Sequence, residues 1–404
     1  MVCRTGREFA RSAQLANKHL KNDDMAMKVL FLSQGRRIED HPGWDWSLKK
    51  IKEEGIIEDY LNIPWQGYGE MHGWNAFYRH VVDTVKAGRF DVVYFHYFHR
   101  KDVPSPANCI KVLKELPNRP TVIVSGGDPF SDNWMPPRYP ANFRIAAGLA
   151  DIVFSTQMGK AAELMLKWGA KNVVYTPNSL CPVRFSGYAI DPTTHKFDFD
   201  IVMVGSRNGL LGRNVITRHT FRAFERTRMV KALCNHFGKR FGLFGHGWDG
   251  LISNQGPAPF DEQQKYFQRG RVLVGGNPYS FSDYYSSNRV FFEIASGVPT
   301  VELKVNRLDK VLRDGDQVYF ADNVDGVIAK CEELLQQDPV ELYAKAARAA
   351  KEIVERHTQY HRMKFKLDTV RRYRENGNRL DVVFPFFLPE VDLQEEMKYA
   401  ARTK

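Results

Sequence analysis

Two residues of opposite charge, Arg289 and Glu293, stand four positions apart in the otherwise apolar stretch SSNRVFFEIASGVPTVEL, residues 286–303. Four positions correspond to about one helical turn, so in a helix both side chains share a face while Val290 and its apolar neighbours turn toward the core. A guanidinium can hold a phosphate, and a carboxylate one turn deeper can accept hydrogen bonds from sugar hydroxyls. The alternative is an internal Arg289–Glu293 ion pair, which needs no ligand.

The ends of this helix are marked in the sequence. Ser287 and Asn288 suit its first turn, Gly297 suits its C-cap, and Pro299 stops it before the strand TVEL. The first turn of a helix presents free N–H groups and a partial positive charge. In an open α/β fold that turn lies at the carboxyl edge of the sheet, where ligands bind. The stretch therefore predicts a phosphate site at Ser287, Asn288 and Arg289.

A second phosphate-binding candidate is the strand end VGSRNG, in which Gly205 and Gly209 allow backbone conformations that other residues resist. Ser206 or Asn208 can cap the helical segment that follows. The run 207–240 contains nine basic residues against one acidic residue, which gives a local charge of +8. A plain strand-to-helix turn and a solvated basic helix face explain the same residues without a ligand.

Candidate catalytic residues stand in the first half of the chain. Asp128 follows two glycines in VSGGDPF, where a carboxylate can act as the general base that takes the proton of an acceptor hydroxyl. Its alternative role is to form a turn before Pro129. His96 and His99 in FHYFHR are candidates for a sugar contact or for the base, although packing near the core is the better interpretation for one of them. Asp45 in GWDWSL is a second candidate base.

The segment QGRRIEDHPGWDWSL, residues 34–48, follows the first predicted strand and is the predicted acceptor loop. Arg36 and Arg37 suit a phosphate, and Trp44 and Trp46 suit stacking on a sugar or a base. The two tryptophans could as easily pack the loop against the protein.

No pattern of metal ligands accompanies these candidates. The D-x-D sequence DFD, at 198–200, precedes its predicted strand instead of ending it. The five cysteines form no C-x-x-C pair and no spacing with histidine that suits zinc, and they are typical of buried, reduced thiols. We therefore predict no obligatory metal and a cytoplasmic location.

The elements that must position these residues are apolar strands that alternate with helical segments. Five strand-like runs fall within residues 28–178, and four more fall within 199–303. Continuous Val, Ile and Phe runs that alternate with helices indicate a parallel sheet covered on both faces. The predicted fold class is therefore α/β, with two such domains in series.

Breaks in this pattern divide the chain into five parts. A length of 404 residues suggests about two domains. The residues between them lack the alternation of apolar strands and helices and are rich in Pro, Gly and Thr. The predicted parts are an N-terminal extension at 1–26, a first domain at 27–180, a linker at 181–199, a second domain at 200–340, and a C-terminal helix and tail at 341–404 that pack back on the first domain.

The formal charge of +11 and the isoelectric point near 9.3 favour an anionic partner. Such a partner is a nucleic acid, a membrane surface or a phosphorylated small molecule. Basic surfaces also serve solubility alone. No apolar run approaches the ~18 residues that span a bilayer, so we expect at most peripheral membrane contact.

The stretch SNRVFFEIASGVPTVELKVNRLDKVLRDGDQVYFADNVDGVIAKCEELLQQDP resembles the donor-site segment of GT-B glycosyltransferases, most closely that of the CgeB-like spore-coat branch. In that branch an Arg-x-x-x-Glu helix is followed by a small-residue turn, a strand, a DG loop and a closing helix. The likeness is fairly specific over 270–340, only architectural over 28–180, and absent over 1–26 and 377–404. It implies two Rossmann-like domains that face each other across a cleft.

The resemblance also implies a nucleoside diphosphate sugar, such as a UDP-sugar, held mainly by the second domain. Glu293 would bind the ribose hydroxyls and Arg289 the diphosphate. The other implied donor-site residues are Ser287, Asn288, Ala295, Ser296 and Gly297 around the helix, Gly205, Ser206 and Arg207 at the phosphates, and His246 or Trp248 near the base. Retaining members often have two Glu eight positions apart, and Tyr285 replaces the first, so the anomeric outcome stays open.

The implied reaction is transfer of the sugar to a hydroxyl acceptor, with no obligatory cofactor. Excess positive charge and the Arg-rich loop favour DNA carrying a hydroxylated base, as in phage-encoded DNA glycosyltransferases of similar architecture. The CgeB-like likeness favours an envelope, spore-coat or lipid-linked glycan instead. Two further alternatives are a non-catalytic sugar- or nucleic-acid-binding protein on the same scaffold and a sugar-nucleotide epimerase.

Overall fold

The computed structural model describes residues 26–98, 100, 102–127, 139–207, 223–276 and 282–380. The predicted base Asp128 and the predicted acceptor contact His99 lie outside the described residues, as do almost all of the predicted extension and the last part of the tail. Within the described ranges, no helix is both long enough and apolar enough to cross a membrane.

The first half of the chain forms a parallel sheet because its apolar runs are extended and buried. The strands are β1 (Met27–Ser33), β2 (Ile57–Pro64), β3 (Val92–His96), β4 (Thr121–Ser125), β5 (Ile152–Ser155) and β6 (Val173–Tyr175). They pair in the order β2-β1-β3-β4-β5-β6, and every pairing is parallel. The helices are α1 (Pro42–Glu53), α2 (Trp65–His72), α3 (Trp74–Gly88), α4 (Ala107–Glu115), α5 (Ala141–Leu149) and α6 (Lys160–Lys167).

The second half repeats the plan with five parallel strands. They are β7 (Phe199–Val204), β8 (Phe241–Phe244), β9 (Gly270–Val274), β10 (Thr300–Leu303) and β11 (Tyr319–Ala321). Their order is β11-β10-β9-β7-β8. The accompanying helices are α7 (Ala223–Phe237), α8 (Gln263–Phe267), α9 (Asn288–Ala295) and α10 (Val324–Gln336). The predicted α/β class, with two parallel sheets, is confirmed.

The last two described helices lie on different halves of the molecule. Helix α11 (Pro339–Arg356) packs on α9, and α12 (Gln359–Glu375) packs on α1 and the first sheet. Met363 and Leu367 of α12 join the apolar cluster that contains Phe31 and Trp44. The chain thus crosses between the two halves twice.

The two crossings are joined by backbone hydrogen bonds. Leu180 donates to the carbonyl of His357 at 2.9 Å and accepts from the amide of Gln359 at 2.9 Å. This parallel bridge ties the end of the first domain to the turn between α11 and α12.

Candidate functional site

The strand order places a crevice at the carboxyl edge of the second sheet. The chain leaves β7 for β8 on one side and then returns to β9 on the other side, so the loops after β7 and β9 separate. Open α/β sheets bind ligands at such a switch point. The two loops begin at Gly205 and Gly275.

The loops after β7 and β8 are held together by backbone hydrogen bonds. The Gly205 amide donates to the Phe244 carbonyl at 2.7 Å, and the Arg207 amide donates to the His246 carbonyl at 2.8 Å. A Cβ at Gly245 would lie within 2.8 Å of the Ser206 nitrogen, and its φ is +149°, so glycine permits this close approach. Ser206, Arg207 and His246 are exposed at the rim of the crevice.

A buried arginine bridges the two sides of the crevice. Arg226 of α7 is only 8% exposed, and its Nε donates to the Gly276 carbonyl at 2.8 Å. Its Nη1 donates to the Ser206 carbonyl at 3.3 Å. The sequence signals a basic run here but not this residue in particular, because only the strand order brings the Ser206 and Gly276 carbonyls within its reach.

Helix α9 begins at the same edge, with Ser287 as its N-cap. The Ser287 side chain makes no capping hydrogen bond, and Asn288 is exposed. The fully buried Ser286 hydroxyl has no hydrogen-bond partner among the described residues. The Arg289 guanidinium points at the β7 loop, with Nη1 2.8 Å from the position that a Cβ of Gly205 would occupy. The predicted helix start and Arg289 therefore lie together at the crevice.

Glu293 lies one turn further along α9 and is fully buried. Burial raises the pKa of its carboxyl group, while Arg289, a hydrogen bond with Glu302 and Arg226 act in the opposite direction. Apart from Glu302, no residue within the part of the chain that the structure describes hydrogen-bonds to either oxygen of Glu293, and no ion pair joins Glu293 to Arg289 there. The alternative of a simple internal ion pair is thus not what the structure contains.

The last turn of α9 corrects one expectation. Because α9 runs antiparallel to the strands, Ala295, Ser296 and Gly297 lie at the amino edge of the sheet. The Ser296 carbonyl accepts from Gln268 Nε2 at 3.0 Å, just before β9, and Gly297 packs against the linker residue Tyr188. These three residues are buried there and do not line the crevice.

Both predicted base-binding residues lie after β8, but they differ in access. His246 is exposed. The Trp248 indole is 2% exposed and donates to the Gly205 carbonyl at 2.6 Å. Trp248 therefore holds the loop after β7 through this hydrogen bond, and its buried ring is not available for stacking on a base.

The carboxyl edge of the first sheet is more closely packed. His96, at the end of β3, is fully buried, with its ring stacked on Tyr97 at 4.1 Å and edge-on to Trp44 at 4.8 Å. This packing corrects the expectation of a His96 base that contacts substrate. Asp45 is half-buried and accepts from Asn62 Nδ2 at 3.0 Å.

The predicted acceptor loop is folded against its surroundings. Arg36 pairs with Glu70 at 2.7 Å, whereas Arg37 is exposed without an ion pair among the described residues. Trp44 is 3% exposed, so it cannot stack on a ligand. Trp46 is 40% exposed and meets the Tyr360 ring edge-on at 6.5 Å. Of the predicted stacking residues, only Trp46 keeps an accessible ring.

A polar connection that the sequence did not reveal joins the two sheets. The Tyr97 hydroxyl donates to Asn178 Oδ1 at 2.9 Å, and Asn178 Nδ2 donates to the Ser286 carbonyl at 2.8 Å. The Ser179 amide adds a 3.4 Å contact to Asn288 Oδ1. The start of α9 is thus fixed relative to the first domain. Among the described residues no cluster of His, Cys, Asp and Glu could hold a metal ion.

Comparisons with known proteins agree with this architecture. Residues 218–368 match a family model described as glycosyl transferase-like. An alpha-glucosyltransferase in complex with UDP and a 13-mer DNA containing an HMU base is similar in structure, with TM-score 0.58 and 13% identity over 85% of this chain and 99% of that chain. HepE of Anabaena with UDP and glucose has TM-score 0.51 and 13% identity over 86% and 100%. Sucrose-phosphate synthase of Thermosynechococcus elongatus has TM-score 0.51 and 11% identity over 87% and 100%.

These likenesses define the class of fold. At such low identity they concern the fold alone, and they confirm the predicted GT-B architecture. No curated protein sequence matches the chain. The CgeB-like assignment is not tested by these comparisons and stays a prediction.

Proposed function

We propose that this protein is a glycosyltransferase that moves a sugar from a nucleoside diphosphate sugar, such as a UDP-sugar, to a hydroxyl acceptor. The observation that carries the proposal is the meeting of the α9 N-terminus, Arg289 and Arg226 at the crevice between β7 and β9. The Arg289 guanidinium and free helix N–H groups favour a diphosphate, and the buried Arg226 adds positive charge beside them. The match of residues 218–368 to the glycosyl transferase-like family and the UDP complexes of the similar structures support the same conclusion.

The same groups provide a mechanism. Negative charge develops on the leaving diphosphate in the transition state, and fixed positive groups stabilise that charge without reorganising. Arg289 and the first turn of α9 would serve the phosphates, with Ser206 and Arg207 at the rim. Glu293 would accept from the ribose hydroxyls after the strand end at Gly275 shifts, because its carboxylate is buried behind that residue.

The acceptor hydroxyl needs a general base. We assign this role to Asp128 or Asp45, since the packed ring of His96 has no access to a substrate. Asp45 is the described candidate, and its contact with Asn62 fixes its orientation at the start of α1.

The donor site is tested with a thermal-shift series of nucleoside diphosphates and their sugars. A ligand at about 100 times its Kd should add about 2.7 kcal/mol of stability. Arg289→Met should weaken UDP binding at least about tenfold, because a hydrogen bond to a charged group contributes about 1.5–3 kcal/mol. Arg348→Met is the matched control, since Arg348 is exposed on α11. Equal UDP affinity in the two variants would exclude this phosphate site.

For the acceptor we propose DNA that carries a hydroxylated base. The support is the charge of +11, the exposed Arg37, and the DNA complex of one structurally similar enzyme. A duplex base would be flipped out to reach the crevice. The assay is transfer of labelled glucose from UDP-glucose to DNA containing the HMU base, with unmodified DNA as control.

The outcomes separate the alternatives. Transfer to anionic lipid or to an envelope glycan instead of DNA would favour the second acceptor class. DNA binding with a steep salt dependence but no UDP binding would indicate a non-catalytic nucleic-acid binder. Consumption of the donor with release of an epimer would indicate an epimerase.

A further inference from the structure

Two buried carboxyl groups meet behind the crevice. Glu293 of α9 is 0% exposed and Glu302 of β10 is 1% exposed. Both face Gly275 at the end of β9: a Cβ at that position would collide with the Glu302 carboxyl group and lie 2.7 Å from Glu293 Oε2. Only glycine leaves room there for the two acids.

Two arginines stand near this pair of acids. Arg289 from α9 and Arg226 from α7 are the cations that act on Glu293. Two carboxylates side by side in a buried site repel each other, and such pairs keep one proton between them. A single remaining negative charge can be balanced by the two guanidinium groups and leaves an excess positive charge at the crevice.

We propose that Glu302 retains a proton and donates a hydrogen bond to Glu293, so that one fixed negative charge stands behind Arg226 and Arg289. Glu302 is then a positioning residue for the donor site. The effect of the shared proton on donor binding rests on the proposed function. The proton has two effects. It holds the Glu293 carboxylate in one orientation, and it keeps the pocket net positive for a diphosphate.

This arrangement differs from a plain ribose contact at Glu293. If both acids were ionised, the charges of the two acids and the two arginines would cancel, and the site would lose its attraction for an anion. If both were protonated, no negative charge would remain behind Arg226 and Arg289 to balance part of their charge. With one shared proton, the site keeps a net positive charge for the diphosphate and a fixed carboxylate for the ribose.

The proton itself is tested without a ligand by infrared difference spectroscopy of the full chain. The wild-type protein minus Glu302→Gln should show a buried carboxylic-acid C=O band near neutral pH, because glutamine removes the only group that holds the proton. The exposed residue Glu355, paired with Lys351 at 3.8 Å, provides the control Glu355→Gln, which should show no such band. A difference spectrum without an acid band would overturn the proposal.

The consequence for the donor is tested with UDP-glucose, whose diphosphate carries a constant charge near neutral pH. Glu302→Gln keeps a neutral donor and should bind UDP-glucose within about twofold of wild type, whereas Glu302→Leu cannot hold Glu293 and should bind at least about tenfold more weakly. Melting temperatures establish that both variants are folded. Equal weakening in the two variants would also overturn the proposal.

These measurements separate the inference from the proposed function. A wild-type protein that binds no UDP-glucose would refute the proposed donor site, and the infrared band would still decide whether the acids share a proton. A protein that binds UDP-glucose without the band would keep its function and lose only this inference.

Discussion

Arg289 and Glu293, at the carboxyl edge of the second sheet, contrast with Arg362 and Lys366, which α12 buries against the first domain. Arg289 is half-buried and has no hydrogen bond or ion pair among the described residues, and the Glu293 oxygens have no hydrogen-bond partner there apart from Glu302. Arg362 is fully enclosed and saturated: Nε donates to the Pro177 carbonyl at 3.0 Å, and Nη2 donates to the Asn178 carbonyl at 3.0 Å.

Lys366 is enclosed in the same manner. Its ammonium donates to the Tyr94 hydroxyl at 2.6 Å and lies 5.0 Å from the centre of the Trp44 ring. Burial lowers the pKa of Lys366 to about 7 and that of Arg362 to about 9. The contrast teaches that a buried charge whose contacts the protein itself supplies serves the architecture. Charged groups at a switch point that lack such contacts among the described residues are available to a ligand.

Replacing the hydrogen-bonded arginine, Arg362, should have the largest effect on stability. Arg362→Ala should destabilise the protein by about 4 kcal/mol, because at least two buried carbonyls lose their donor and a cavity opens beside Phe291. Chemical denaturation measures the change. Arg348→Ala on the exposed face of α11 should stay within about 0.5 kcal/mol of wild type. A small effect at Arg362 would remove the distinction between the two regions.

Replacing the buried lysine, Lys366, should stabilise the protein, in contrast to the loss of stability expected from Arg362→Ala. The unfolded chain holds the Lys366 proton up to the ordinary pKa of 10.5, whereas the folded protein releases it at about 7. Between these values the unfolded state binds more protons, so stability rises with pH there and is lowest below the folded pKa. Lys366→Met should therefore add about 2 kcal/mol below about pH 7, with the gain shrinking toward about pH 10.

Denaturation across this pH range checks the lysine prediction. Lys345→Met is the control, because Lys345 is exposed and should show no pH-dependent gain. A gain that does not change with pH would mean that Lys366 does not titrate between the two values.

Two glycines at equivalent strand ends sharpen the comparison. Gly275→Ala would push a Cβ into the Glu302 carboxyl group, and Gly126→Ala, after β4, would place one 2.9 Å from the Phe143 ring. We expect each to cost about 2 kcal/mol of stability. Only Gly275→Ala should also abolish the thermal protection by UDP-glucose. Loss of that protection in both variants would place ligand binding at both edges.

The smallest expected effect concerns the connection between the two regions. Tyr97→Phe removes the hydrogen bond to Asn178 and should cost about 1 kcal/mol. If the start of α9 is fixed through this bond, the KM for the UDP-sugar should rise more than kcat falls. Tyr188→Phe, on an exposed linker side chain, should change neither quantity.

Much of the fold was predictable because its periodicity is local. Continuous apolar runs identified β1 and β3 to within a few residues, and the glycine and proline after Ile294 marked the end of α9. The edge strands β2 and β11 were missed. Strand β2 has the mixed sequence IEDYLNIP with several exposed side chains, and β11 has three residues, so neither shows the buried pattern of a central strand.

The candidate site was predictable only along one helix. The spacing of Arg289 and Glu293 follows from the helical repeat, and Arg289 lies beside Gly205 at the crevice, while its role toward a phosphate stays a prediction. The structure contains the packing alternative for Trp44 and buries Trp248 away from a ligand, which the sequence left open because aromatic side chains signal apolar surface without saying which side is covered. Nothing in TVEL distinguishes Glu302 from an ordinary strand residue.

The sequence by itself determined the alternation of strands and helices and the ends of α9, because each depends on neighbours within one or two turns. It also determined the excess of positive charge, which follows from composition alone. The tertiary structure alone decided that Arg226 bridges the loops after β7 and β9, that Glu302 faces Glu293 over Gly275, and that Asn178 holds the start of α9. Those contacts depend on strand order, which brings together residues far apart in the chain and leaves no local pattern to read.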